Sequence, residues 1–117
     1  MKLSKFLSSF RFAAQGVGAS IKQEQNMRVH AFSAVIVLIA GIWTGLEPIE
    51  WMLVIVLIGG MLALELVNSA LERTVDLVTR ERHPLAKQAK DMAAGAVLVF
   101  AVTSAIIGLL IFLPKWL

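Results

Sequence analysis

Four polar residues at helical spacing carry the chemistry this sequence can do: Glu65, Asn68, Glu72 and Asp76, in the run Glu65-Leu-Val-Asn68-Ser-Ala-Leu-Glu72-Arg-Thr-Val-Asp76. Steps of three, four and four place them on one stripe of a helix. Along its axis Glu65 and Glu72 lie about 10 Å apart at 1.5 Å per residue. Glu65 directly follows the apolar stretch 52–64. A carboxylate at a bilayer centre costs about 2.5 kcal/mol or more on insertion scales, and less near the interface. Glu65 must therefore face a polar cavity, a partner or a metal, or else take up a proton, and such a position suits a general base.

Two further polar clusters border apolar runs: Lys90-Asp91, and Glu24 with Asn26 and Arg28. Carboxylates from separate helices with a lysine are the parts that phosphoryl transfer requires. Mg²⁺ binds through one or two carboxylates plus substrate phosphates and water. A lysine neutralises phosphate charge, and a base accepts the proton of the attacking hydroxyl. Blander readings stand beside this one. Arg73, Arg80, Arg82 and Lys87 have the placement of interfacial anchors, and the stripe alone is compatible with helix pairing. His30 and His83 are isolated in sequence, so neither is expected to ligate a metal. Gly16-Val-Gly18 is not a phosphate loop, because it lacks both a preceding strand and a Gly-Lys-Ser/Thr ending.

The elements that must position these groups are apolar. Hydrophobic residues make up 58% of the 117, charged ones only 16%, and the charges are clustered, which makes lipid rather than water the solvent. Without cysteine there is no disulfide framework or thiolate metal site. Leu3, Phe6, Leu7, Phe10, Ala14, Val17 and Ile21 recur at helical spacing, with Lys2, Lys5, Arg11 and Lys22 largely off that face. The pattern predicts an amphipathic helix over 3–22 lying in the membrane interface; a targeting peptide is the alternative for this segment, but no compact apolar core precedes a small-residue cleavage site. Three apolar runs predict membrane helices over 27–46, 51–78 and 89–113, with a turn at Glu47, Pro48 and Glu50 and a stop at Pro114. Lys and Arg number five in the N-terminal segment through Arg28 and five in the stretch from Arg73 to Lys90, against none in the turn and one at the C-terminus. The positive-inside rule then puts the N-terminus and the second connection in the cytoplasm. The expected architecture is a single all-α integral membrane domain over 1–117.

Glu65-Leu-Val-Asn68-Ser69-Ala70-Leu71-Glu72-x-x-Val75-Asp76, followed by Lys90-Asp91-Met92-Ala93, resembles the prokaryotic diacylglycerol kinase family. Glu24-x-Asn26-Met27-Arg28-x-His30-Ala31 and the continuation Ala94-Gly95-Ala96-Val97-Leu98 resemble its Gram-positive branch, which phosphorylates undecaprenol. The likeness extends over about residues 10–113. It implies a homotrimer of three-span subunits in the bacterial inner membrane, with an N-terminal surface helix and composite active sites. It implies ATP- and Mg²⁺-dependent phosphorylation of a membrane lipid alcohol, undecaprenol or alternatively diacylglycerol, with no nucleic-acid partner. By position, Glu65 would be the general base and Asn68 would support the reacting centre, while Glu24 and Glu72 would hold the metal. Lys90 and Asp91 would contact ATP, with Asp76, Glu81 and His83 near the nucleotide and Lys5 matching a basic position of the surface helix. The lipid would lie near Ala13, Gly16 and Ser20, with its head at Glu65. Two other classes are weighed against this. A channel predicts polar residues along a whole span, and spans one and three offer little beyond Ser33, Thr44, Thr103 and Ser104. A membrane adaptor predicts no nucleotide binding.

Overall fold

The structure, a computed structural model, describes residues 2–117 as four helices: α1 (Leu3–Gln23), α2 (Gln25–Thr44), α3 (Pro48–Val78) and α4 (Pro84–Trp116). The last three are long and apolar enough to cross a membrane. At 1.5 Å per residue, the 20 residues of α2 match a hydrocarbon core of about 30 Å. The 31 and 33 residues of α3 and α4 overshoot it by roughly ten each. That excess is where the charges are: the end of α3 beyond Glu65 and the start of α4 up to Asp91.

Each helix end has a local cause, and the ends move the expected boundaries. Between α1 and α2 only Glu24 leaves the helical conformation, with φ −109° and ψ 116°. Arg28 Nη1 donates to the carbonyls of Ile21 (3.0 Å) and Lys22 (2.8 Å), satisfying two acceptors that the end of α1 leaves open. So α2 begins at Gln25, ahead of the expected 27. It ends at Thr44 because Gly45 takes the left-handed conformation, φ 79°, that a glycine adopts without strain. The segment 47–50 is not a free turn. Pro48 opens α3 where its missing N–H is no loss, and the Glu50 carboxylate accepts the Glu47 N–H at 2.9 Å. The same device starts α4 at Pro84, five residues before the expected 89: His83 Nδ1 accepts the Leu85 N–H at 3.1 Å. Pro114 does not stop α4, which runs through it to Trp116.

The bundle packs from the end where α2 turns into α3. Leu46, Val54, Ile111 and Phe112 form the buried core, with Val37, Ala40, Trp51, Ile58 and Ile107 against it. Two close approaches need glycine. A Cβ on Gly41 would stand 2.8 Å from the Trp51 ring, and one on Gly60 would stand 2.5 Å from the Phe100 ring. The C-terminus ties this end together: Trp116 Nε1 donates to Thr44 Oγ1 at 2.9 Å, and Lys115 pairs with Glu50 at 3.0 Å. Elsewhere large apolar side chains such as Phe32, Ile42, Trp43, Val56 and Leu110 face outward, as lipid-facing residues do.

Candidate active site

At the opposite end the burial pattern inverts. Glu65, Asn68 and Ser69 of α3 are 2%, 5% and 2% exposed, and Ser20 of α1 is 1% exposed. Polar groups here are more buried than most leucines of the chain, and several lack partners: Ser20 Oγ, Ser69 Oγ and Asn68 Oδ1 have none among the described residues. Buried polar atoms left unpaired are costly, of the order of 1–3 kcal/mol each, and in a native protein each has a reason, such as a catalytic role or a bound water or ion.

The stripe read from the sequence holds in three dimensions. Asn68 Nδ2 donates to Glu72 Oε1 at 3.3 Å. The carboxylates of Glu24 and Glu72 and the imidazole of His30 all lie within electrostatic reach of Glu65. Glu24 comes from the α1–α2 corner, and Arg73 holds that corner onto α3, donating to Gln23 Oε1 at 2.7 Å and pairing with Glu24 Oε1 at 3.3 Å. Arg73 is therefore more than an interfacial anchor. Farther along α3, Asp76 pairs with Lys90 of α4 at 2.5 Å, so the two expected nucleotide residues meet across the helices. Asp91 is exposed and pairs with Lys87 at 2.6 Å. Glu81 and His83 lie in the 79–83 connection, where they line a cavity of about 580 Å³ together with Arg80, Arg82, Lys87 and Lys90.

Some expected residues stand apart. Lys5 lies nineteen residues before Glu24 on α1, about 28 Å along the helix axis, and the fold of one chain does not bring it to the cluster. Ala13 and Gly16 are exposed on α1, Gly16 with open space around it; of the three expected lipid-lining residues only Ser20 is buried. Among the described residues no three His, Asp or Glu side chains converge tightly enough to cage a metal by themselves.

Sequence reasoning missed His30. It looked isolated, yet its Nε2 stands 3.7 Å from Glu65 Oε2. The available signal was the spacing Met27, His30, Ala34, Val37, Gly41, all buried or half-buried, which is the inward face of α2.

Comparison with known proteins matches residues 11–112 to the prokaryotic diacylglycerol kinase family. The chain belongs to that family. It is 56% identical to the undecaprenol kinase of Bacillus subtilis over 114 residues, covering 97% of this chain and 93% of that one. It is 42% identical over 112 residues to the diacylglycerol kinase of Synechocystis, covering 95% of this chain and 64% of the relative. With the diacylglycerol kinase of Haemophilus influenzae the identity is 34% over 97 residues, covering 83% and 82%. The family is one of membrane lipid kinases, which makes this chain a lipid kinase drawing its phosphoryl group from a nucleotide. The matched span contains the whole buried cluster and the Asp76–Lys90 pair but leaves out Lys5.

Proposed function

We propose that the protein transfers the γ-phosphoryl group of ATP to the primary hydroxyl of undecaprenol at the cytoplasmic face of the bacterial inner membrane. The observation that carries this reading is the buried carboxylate of Glu65, flanked by Glu24 and Glu72 from two directions, at the level where the long helices leave the hydrocarbon. Glu65 accepts the hydroxyl proton as the lipid oxygen bonds phosphorus and the bond to the ADP oxygen breaks. Asn68, whose Oδ1 is buried and unpaired, steadies the reacting centre. Glu24 and Glu72 fit a Mg²⁺ site, since this ion takes one or two carboxylates and completes its shell with phosphate and water. Bound there, it supplies neutralising charge to the phosphate oxygens. Lys90 gives a second positive charge once released from Asp76, and Glu81, His83 and Asp91 border the nucleotide. Positioning supplies much of the rate, because little covalent work falls to the protein.

In this reading α1 lies in the interface: Leu3, Phe6, Leu7 and Phe10 are exposed on it, with lysines beside them, and Ala13, Gly16 and Ser20 follow the lipid. The N-terminus is cytoplasmic by the distribution of Lys and Arg. Three copies assemble, and their sites combine residues of adjacent subunits, so Lys5 reaches a nucleotide held partly by a neighbour. Diacylglycerol is the alternative acceptor, supported by the names of the Synechocystis and Haemophilus relatives. Kinetics with both lipids in one micelle system decide between them. A higher kcat/KM for undecaprenol is expected, and a clear preference for diacylglycerol would replace it as the substrate.

A further inference from the structure

His30 has no part in the mechanism above, yet its imidazole stands beside the base. Its Nε2 lies 3.7 Å from Glu65 Oε2, with side chains 22% and 3% exposed. Of the charges acting on Glu65, two are carboxylates, Glu24 and Glu72, and only His30 can become positive. His30 also lines a cavity of about 420 Å³ between the three long helices, along with Ser33, Ala34, Val54, Ala101 and Ser104. The imidazole thus stands on the boundary between an apolar cavity and the polar cluster. A proton arriving on a carboxylate that is 2% exposed cannot pass directly to bulk water. An imidazole can accept a proton at one nitrogen and release another from the second.

We infer that His30 is a positioning residue for Glu65, holding the carboxylate toward the acceptor hydroxyl and relieving it of the proton it removes. The inference rests on the reading of Glu65 as the base. The lipid O–H proton moves to Glu65 as the O–P bond forms and the ADP oxygen departs with its electron pair. The proton then passes from the Glu65 carboxyl to the neutral imidazole at Nε2, restoring the carboxylate. The resting separation is of ion-pair length, beyond the ~3.2 Å of a direct N–H···O bond, so the two groups close up as the proton moves. The resulting imidazolium is steadied by Glu65, with Glu24 and Glu72 nearby.

The test is steady-state kinetics of His30→Gln, which keeps size and hydrogen bonding but cannot take up a proton, with His30→Asn as a second variant should the first fail to fold. The kcat is expected to fall 10- to 100-fold, with KM for ATP and for undecaprenol within about twofold of wild type. On a Glu65→Gln background, His30→Gln should lower the residual turnover no further, because both act in one step. Wild-type kcat in His30→Gln alongside an inactive Glu65→Gln would overturn this inference and leave the base assignment standing. Wild-type turnover in Glu65→Gln would overturn both. A raised KM for lipid at unchanged kcat would assign His30 to packing in the cavity instead, and also overturn it.

Discussion

Glu65, Asn68 and Ser69 sit nearly dry inside a protein whose large apolar residues mostly face outward. Lipid solvates the apolar side chains, so the bundle interior is where polar groups can be kept. The Glu65 to Asp76 stripe was legible in the sequence because spacing along one helix is local information. The Glu65–His30 and Glu24–Arg73 contacts were not, because a contact between helices depends on a register that neither segment contains. Two predictions belong at this scale. Glu24→Gln and Glu72→Gln should each raise the Mg²⁺ concentration for half-maximal activity about tenfold or more, the scale of losing a charged contact. A magnesium titration at fixed ATP measures this, and unchanged midpoints would remove both residues from the metal site. Lys90→Met should raise KM for ATP about tenfold on the same reasoning, with KM for lipid unaltered.

Helix lengths decide where that chemistry can happen. Hydropathy located all three long helices, because apolar runs of this kind have few other uses. It found the end of α3 at Val78 but misplaced the other ends, which single capping residues set: Gly45 by its positive φ, Pro48 and Pro84 by their fit to the first helical position, and Arg28 by reaching back to two open carbonyls. The earlier start of α4 at Pro84 puts Lys87 on the same helix as Lys90 and Asp91, and the Asp76–Lys90 contact joins two rigid elements. The α3–α4 seam also explains why Gly60 is a glycine: a Cβ there would collide with the Phe100 ring. Gly60→Val should destabilise the protein by about 1–3 kcal/mol, the usual cost of overpacking, seen as a lower unfolding temperature in detergent. Gly108→Ala, whose methyl meets open space, should be neutral or slightly stabilising, since alanine is favoured in a helix by up to about 1 kcal/mol.

For the molecule as a whole, the two ends of the bundle divide the work. The end at the α2–α3 turn is closed by Leu46, Val54, Ile111, Phe112 and the Lys115 and Trp116 contacts, while the other end carries unpaired polar atoms and a basic connection. One chain gathers Glu24, Glu65, Glu72 and His30 but leaves Lys5 and the outward face of α1 without partners in the cluster. The proposed trimer accounts for that remainder, and light scattering of the detergent-solubilised protein should give the mass of three copies; a monomer active at the same concentration would contradict shared sites. The family resemblance, rather than composition, is the source of the lipid reading and of the proposed trimer, since neither leaves a local pattern in one chain. The most direct test of the account is phosphate incorporation into lipid by purified wild-type protein and by Glu65→Gln, with Mg·ATP and undecaprenol in mixed micelles. The wild type should form undecaprenyl phosphate, and the variant should lose about 10²- to 10⁴-fold in kcat while keeping its helical content and its mass. Wild-type turnover in a folded Glu65→Gln protein would contradict it.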